Sequence, residues 1–524
     1  MSNFDTEKNS PHIFDSASAP KKNSRHNIKI ESVTAKGFGV GYINGFTVFV
    51  DGGLPGDELE IHIVKAKSRY GYGKIVEIVR PSAARIESPC PVSGHCGGCQ
   101  WQHADYQAQL SYKKQIVIDA LERVGGIKKP PVQDVVGMTQ IPAPAYYRNK
   151  AVFPIVPYPN ADGFAIGMFA ARSHRIVEVD HCIIQHPAHV PILKAVKRHM
   201  RSHKIRPYNE QTHTGLMRFV MIRTSLATNE VMVVLTINGT KLPLEKKLAE
   251  DLTAVGTTTV VVSRHTAKSN VVLGDSFRII SGNGFIRETI GHVTYQISAP
   301  SFFQVNPVQT KILYDIAIAQ AQPNGKTILD AHVGAGGVAL YAAMHAKKVI
   351  GVDIVPEAIA DGEKNADIND ITNMHFICGA AEDVIPPMLY YAQEGSSPSH
   401  ATGGCCERET LIRKKLPARS ICHEENIQLV TENHQLKYPH EDFQIKPDIV
   451  FLDPPRKGCE PALLDALIAA PISKIVYISC DPATFARDVK ILVQGGFDLI
   501  TVQPVDMFPH TGKVEISALL CRGS

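Results

Sequence analysis

From Asn27 to about Arg80 apolar and polar residues alternate in short runs, Asn27–Val33, Gly39–Ile43, Phe46–Val50, Glu58–Lys65 and Gly73–Val79, separated by glycines. Alternation with period two marks half-buried strands, and five short strands in so little sequence predict a small closed barrel. A helical pattern from about Ala104 to Arg123 follows. It leads to strand-like runs at Asn149–Val156, Phe164–Phe169, Arg175–Val179, Met217–Thr224, Val231–Ile237, Thr258–Ser263 and Val271–Gly274, which predict a mixed α+β central domain. Beyond about residue 295 the rhythm changes again. Strands that are apolar throughout, Thr327–Ala331, Lys348–Val352, Ile449–Leu452 and Ile475–Ile478, alternate with helical stretches at Pro307–Gln320, Val338–Ala346 and Pro482–Gln494. Such runs predict a parallel sheet covered by helices on both faces, an α/β domain.

These patterns divide the chain into a polar, disordered tail (1–24), the barrel (25–84), a cysteine-rich loop with the central domain (85–294) and the α/β domain (295–524). Helix 104–123 is expected to pack on the last of these. A polar, charge-mixed insertion at about 394–446 carries Cys405, Cys406 and Cys422 and reads as a surface excursion.

Composition narrows the setting. The 44% hydrophobic content is that of a soluble globular protein, no run approaches the ~18 apolar residues of a membrane span, and no basic-plus-apolar leader opens the chain. A cytoplasmic monomer is expected, with the eleven cysteines serving metal binding, catalysis or packing. A net charge of +4 is too small by itself to imply nucleic acid, so any basic surface must be local. Two stretches offer one. Lys65, Lys67, Arg69, Tyr70 and Tyr72 interleave cations with rings, as backbone tracking and base stacking require. Between Pro191 and Ser225 eight Lys or Arg face one acid, Glu210, which suits phosphate contacts.

Three constellations carry chemistry. Cys90, Cys96 and Cys99, amid glycines, suit a loop folded around a metal group. Cys182 is the best fourth ligand, while His95 and His103 keep zinc open beside iron–sulfur. The glycine turn Asp330-Ala331-His332-Val333-Gly334-Ala335-Gly336-Gly337 opens a helix, and Asp353 ends the next strand some twenty residues on, where a carboxylate can bind both ribose hydroxyls. With Asp453-Pro454-Pro455 after a further strand, the pattern points to S-adenosylmethionine. Finally, the run to Ile478 delivers Cys480 to a turn before Pro482, beside a helix N-terminus expected to favour thiolate.

Gly37-Phe38-Gly39, Pro55-Gly56-Asp57 and Lys65-Ala66-Lys67 resemble the TRAM domain, an RNA-binding barrel of OB-like fold. Over roughly 28–522 the chain resembles RNA uracil-5-methyltransferases of the ribosomal RNA type. The motifs that carry this are the loop Cys90–Cys99, Ser301-Phe302-Phe303-Gln304-Val305-Asn306, Asp453-Pro454-Pro455-Arg456-Lys457-Gly458, Ser479-Cys480-Asp481-Pro482 and Asp506-Met507-Phe508-Pro509-His510-Thr511. The resemblance implies a Rossmann-like class I methyltransferase domain, Cys480 as nucleophile, Glu515 as base, and S-adenosylmethionine contacts from Gln304 and Asp453, with His332, Gly334, Gly336 and Asp353 completing that site. It also implies a 4Fe-4S cluster on Cys90, Cys96, Cys99 and Cys182. Departures from the family pattern are His332 in place of an aromatic residue, Gly337 in place of a polar one, and Asp353 in place of glutamate.

The expected reaction is methylation at carbon 5 of a specific uridine, most readily in large-subunit ribosomal RNA. Cys480 would add at carbon 6 and Glu515 would resolve the adduct. Reaching both ring faces requires the uridine to leave its stack. The rivals are a transfer RNA enzyme of the same chemistry, an amino-directed methyltransferase, for which Cys480 would have no use, and a non-catalytic RNA-binding protein.

Overall fold

The computed structural model describes residues 19–139, 144–160, 162–393 and 445–523. Most of the expected tail and most of the insertion, with Cys405, Cys406 and Cys422, lie outside the described residues.

Strands Arg25–Val33, Phe38–Ile43, Phe46–Asp51, Glu58–Ala66 and Tyr70–Arg80 close into the expected barrel. Alternate residues fill it: Ile28, Ile30, Phe46, Val48, Val50, Leu59, Ile61 and Ile63 are each at most 5% exposed. Gly41 permits the tight first hairpin, since a Cβ there would lie 2.4 Å from the Lys29 carbonyl oxygen. On the outer face Phe38, Phe49, Tyr70 and Tyr72 touch edge to face. Lys67 lies 5.0 Å from the Tyr70 ring, so the predicted mixture of rings and cations is present as one surface.

The central domain is a six-stranded sheet in the order Ser276–Ser281, Thr259–Arg264, Val231–Ile237, Met217–Thr224, Lys150–Pro157, Phe164–Ile166. Two expectations fail here. Val271–Gly274 is not a strand, and the sheet edge is taken by Ser276–Ser281 instead; Gly274 passes so close to Arg264 that a Cβ would meet its carbonyl oxygen at 1.6 Å. The run Phe164–Phe169 breaks at Gly167, which packs under the Val177 carbonyl, so Met168–Phe169 pairs with Ile176–Val177 in a separate ribbon. The hairpin Phe285–Ile290 and Val293–Ser298, unread in the sequence, leads into the last domain.

That domain has a seven-stranded sheet in the order Met374–Cys378, Lys348–Asp353, Thr327–Asp330, Ile449–Leu452, Lys474–Ser479, Glu515–Arg522, Phe497–Val505. The first five are parallel and Glu515–Arg522 runs antiparallel to its neighbours. Apolar clusters cover both faces, one centred on Ile328, Leu340 and Phe451, the other on Leu329, Leu464 and Phe485. The strand order reverses between Thr327–Asp330 and Ile449–Leu452, so a crevice opens at their carboxyl ends, where doubly wound sheets bind ligands.

Helix Tyr106–Arg123 joins this domain. Val117 and Leu121 belong to the Phe485 cluster, and fully buried Lys113 pairs with fully buried Asp506. Among the described residues no helix is long and apolar enough to cross a membrane.

Candidate active site

Strand register places the two predicted catalytic residues. Lys474–Ser479 pairs with Glu515–Arg522 from Lys474↔Cys521 to Ser479↔Ile516, and one further step sets Cys480 opposite Glu515. Asp453 ends the neighbouring parallel strand, whose Leu452 pairs with Tyr477. Side chains 480, 453 and 515 thus meet at one sheet edge from three chain segments, with Arg456 and Lys513 facing them.

The electrostatics follow from burial. Burial raises the Glu515 carboxyl well above the usual carboxylate range, Asp453 adds to this, and Arg456 and Lys513 oppose it. Burial also lifts Asp453 to about 7. The thiol of half-buried Cys480 is pushed up to about 11 by burial, then by Glu515 and Asp453, while Arg456 hydrogen bonds to it and pulls the other way. Burial and the two neighbouring carboxyls thus oppose the thiolate that the helix N-terminus was expected to favour. The helix's positive end is also occupied by Asp481, whose Oδ1 accepts from Ala483 N–H at 3.0 Å and Thr484 N–H at 3.2 Å.

The glycine turn lies across the crevice. Gly334 has φ 54° and its N–H donates to Asp353 Oδ2 at 2.9 Å; Val355 N–H donates to Asp353 Oδ1 at 2.9 Å. Asp353 is thus held in place by the backbone while keeping lone pairs for a ligand. A Cβ on Gly334 would meet nothing within 4 Å, which leaves an open cradle, and Gly336, with φ 101°, opens helix Gly337–Ala343, shorter than the predicted Val338–Ala346. Burial holds His332 neutral, near 4, and its Nδ1 is buried with no partner. An orphaned nitrogen, an open glycine cradle and an anchored carboxylate fit a polar nucleoside cofactor. Gln304 is tied through its carbonyl to Asn149 Nδ2 at 3.0 Å.

Sequence reading assigned no role to Tyr314. This fully buried phenol on helix Pro307–Ala321 is influenced by Asp453, Asp330 and Glu515, and its hydroxyl lies 3.3 Å from where a Cβ on Gly337 would stand. Its signal was the buried face of that helix, which reads as core by default.

Cys90, Cys96, Cys99 and Cys182 line one cavity with Val92, Met168 and Ile184. Burial pushes Cys99 up to about 12 and raises Cys96 and Cys182, so all three would stay protonated unless a cation drew the protons off. Gly98 N–H and Gln102 Nε2 donate to Cys96 and Cys99 sulfur, each at 3.4 Å, as ligand thiolates require. His103 bonds the Gly52 carbonyl at 3.0 Å and exposed His95 does not line the cavity, so neither histidine joins the set. Among the described residues no three His, Cys, Asp or Glu side chains are arranged to hold a single metal ion.

The basic stretch 191–225 resolves differently from expectation. On helix His189–Ser202 Lys197 pairs with Glu178 at 2.6 Å and Arg201 with Asp162 at 2.5 Å, so much of its charge is spent on neighbours. Arg218 turns inward to three backbone carbonyls, and Arg223 bonds the Ser301 carbonyl.

Comparison with known proteins gives the same outline. The TRAM domain model matches residues 21–76, and the tRNA (Uracil-5-)-methyltransferase model matches 132–389 and 427–523. An uncharacterized RNA methyltransferase of Halalkalibacterium halodurans is 38% identical over 502 residues, covering 95% of this chain and 97% of its own. One of Clostridium tetani is 38% identical over 505 residues, covering 95% and 97%. Among solved structures, the Pyrococcus abyssi tRNA (uracil-54, C5)-methyltransferase in complex with S-adenosyl-L-homocysteine superposes with a TM-score of 0.67 at 25% identity, over 94% of this chain and 100% of that one. With a barrel, a class I catalytic domain and near full-length relatives in common, this chain belongs to the tRNA (uracil-5-)-methyltransferase family and is an RNA methyltransferase.

Proposed function

We propose that the protein methylates carbon 5 of a uridine in large-subunit ribosomal RNA, with Cys480 as nucleophile and Glu515 as base. The observation that carries this reading is the meeting of Cys480 and Glu515 across one strand pair, beside Asp453 and Arg456. S-adenosylmethionine, bound by Gln304, His332, Gly334, Gly336, Asp353 and Asp453, would supply an electrophilic methyl group. Carbon 5 of uracil is too weak a nucleophile unaided. Cys480 gives up its proton to solvent, and its thiolate sulfur forms a bond to carbon 6, which turns the ring into an enolate with charge at carbon 5. Arg456, already bonded to the thiol, stabilises the developing thiolate. After methyl transfer Glu515 takes the carbon 5 proton, the carbon–sulfur bond breaks and the thiolate leaves. A buried carboxyl with a raised pKa is the stronger base that this step needs.

The full-length likeness to a transfer RNA enzyme favours a second reading, in which the uridine belongs to transfer RNA. Because that likeness spans 94% of the chain, the barrel alone does not separate the two. Mass mapping of 5-methyluridine in cells with and without the gene does: the account expects loss from large-subunit ribosomal RNA, whereas loss from transfer RNA alone would select the second reading.

Cys90, Cys96, Cys99 and Cys182 would hold a 4Fe-4S cluster. The four thiols line one cavity, the donor type and number that such a cluster takes. Anaerobically purified protein should carry about four irons, the number in such a cluster, and Cys99→Ser should lose them. One zinc per chain without visible absorbance would remove the assignment.

A further inference from the structure

Two cations meet at the junction of the central sheet with the catalytic domain. Lys150 and Arg223 are direct cross-strand partners in the antiparallel pair of Lys150–Pro157 with Met217–Thr224. Directly opposed like charges destabilise a strand pair, and burial makes this worse. Arg223 is 3% exposed, and its Nε has no hydrogen-bond partner although another guanidinium nitrogen reaches the Ser301 carbonyl. Arg148, two residues before Lys150, also has a buried, partnerless Nε.

Sheet alternation fixes the direction of the pair. Val152 and Met221, partners in the same register, pack in the cluster that contains the catalytic core residues Ile328 and Phe451, so Lys150 and Arg223 share that face. Asn149, between the two cations, ties the strand start to the Gln304 loop through Gln304 and Val305 carbonyls. From Arg148 the row continues to Lys513 and Arg456, which face Cys480. Among the described residues no carboxylate forms a salt bridge with Lys150. Its ammonium is held down to about 7, by burial first and then by Arg223 and Arg148, both cations. A folded protein gains nothing from such a cluster unless an anion completes it.

We propose that Lys150, with Arg148 and Arg223, binds a phosphodiester of the substrate RNA adjacent to the target nucleotide. The inference rests on the RNA substrate class and deepens it: the phosphate grip lies at the domain junction and leads to Cys480, whereas on helix His189–Ser202 two of the four Lys and Arg residues, Lys197 and Arg201, are already paired with acids. A phosphate there would neutralise two opposed cations and fix the backbone on either side of a base turned into the pocket.

The test is the affinity of the full-length protein for a ribosomal RNA fragment, measured by anisotropy over a range of KCl concentrations, for wild type and Lys150→Met. The expected result is weaker binding and a log–log salt slope shallower by about 1, the value for one lost phosphate contact. Single methylphosphonate replacements along the fragment should find one phosphate whose neutralisation weakens wild type but not Lys150→Met. Relief of like-charge repulsion should also leave the variant's Tm equal to or above that of wild type, so a folding defect cannot imitate the effect. An unchanged slope and identical methylphosphonate profiles, with a lowered Tm, would overturn the proposal and make Lys150 structural. Wild type without salt-dependent RNA binding would instead strike the RNA-substrate reading, and the proposal with it.

Discussion

Glu515→Gln is expected to convert the enzyme into a covalent trap for its RNA. The substitution leaves Cys480, Asp453 and Arg456 in place, so addition at carbon 6 and methyl transfer proceed. Elimination then lacks its base and should slow by about 10²–10⁴-fold, the usual contribution of a positioned proton acceptor. Glutamine is nearly isosteric with glutamate, and burial already disfavours the charged form of this carboxyl, so the fold should be little disturbed. The product is a methylated protein–RNA adduct that survives denaturing electrophoresis. Cys480→Ala should form no adduct and no 5-methyluridine while still binding RNA, and the double variant should behave as Cys480→Ala. Normal turnover by Glu515→Gln would assign the base elsewhere. Methylation by Cys480→Ala would exclude covalent attack by this residue and favour the amino-directed rival.

Lys113→Met is expected to produce the largest loss of stability. Lys113 and Asp506 are both fully buried, one on helix Tyr106–Arg123 and the other in the loop before Glu515. Lys113 also donates to the Phe508 carbonyl at 3.0 Å, and Asp506 accepts from the Tyr106 hydroxyl at 2.8 Å. Methionine fills the space of the lysine stem but leaves a buried carboxylate without its cation, which costs about 3–5 kcal/mol. Urea unfolding should register that loss. The added change Asp506→Leu should recover much of it, because removing both charges avoids the unpaired one. A loss below about 1 kcal/mol, the range of exposed pairs, would show that this bridge does not hold the two segments together.

What could be read from the sequence was whatever a local pattern encodes. Alternation gave the barrel, and unbroken apolar runs gave the parallel strands that end in Asp353, Asp453 and Cys480. Clustered cysteines gave the cavity, including Cys182 some eighty residues beyond Cys99. The misreadings came from tertiary approach. At Gly167 and Gly274 another segment's carbonyl lies so close that a side chain would not fit, and nothing in their own neighbourhoods says so. The thiolate at Cys480 was expected from the helix dipole alone, without the burial and the neighbouring acids that push the thiol up, or the Asp481 cap. Charge counting along 191–225 pointed to an exposed RNA face. Glu178 and Asp162, outside that window, answer two of its cations, while Arg223 turns inward to oppose Lys150. Tyr314 was invisible for a simpler reason: a buried tyrosine on a helix looks like core until the acids facing it are known.

The central claim is that carbon 5 of a uridine loses its hydrogen to Glu515 after Cys480 has activated the ring. Tritium release from RNA labelled at carbon 5 of uridine, measured beside methyl incorporation, tests this most directly. Wild type should release one tritium for each methyl group transferred, and Glu515→Gln should incorporate methyl groups while retaining the tritium in the adduct. Methyl incorporation by wild type with no tritium release would contradict the account, because the methyl group would then be going to an atom other than carbon 5.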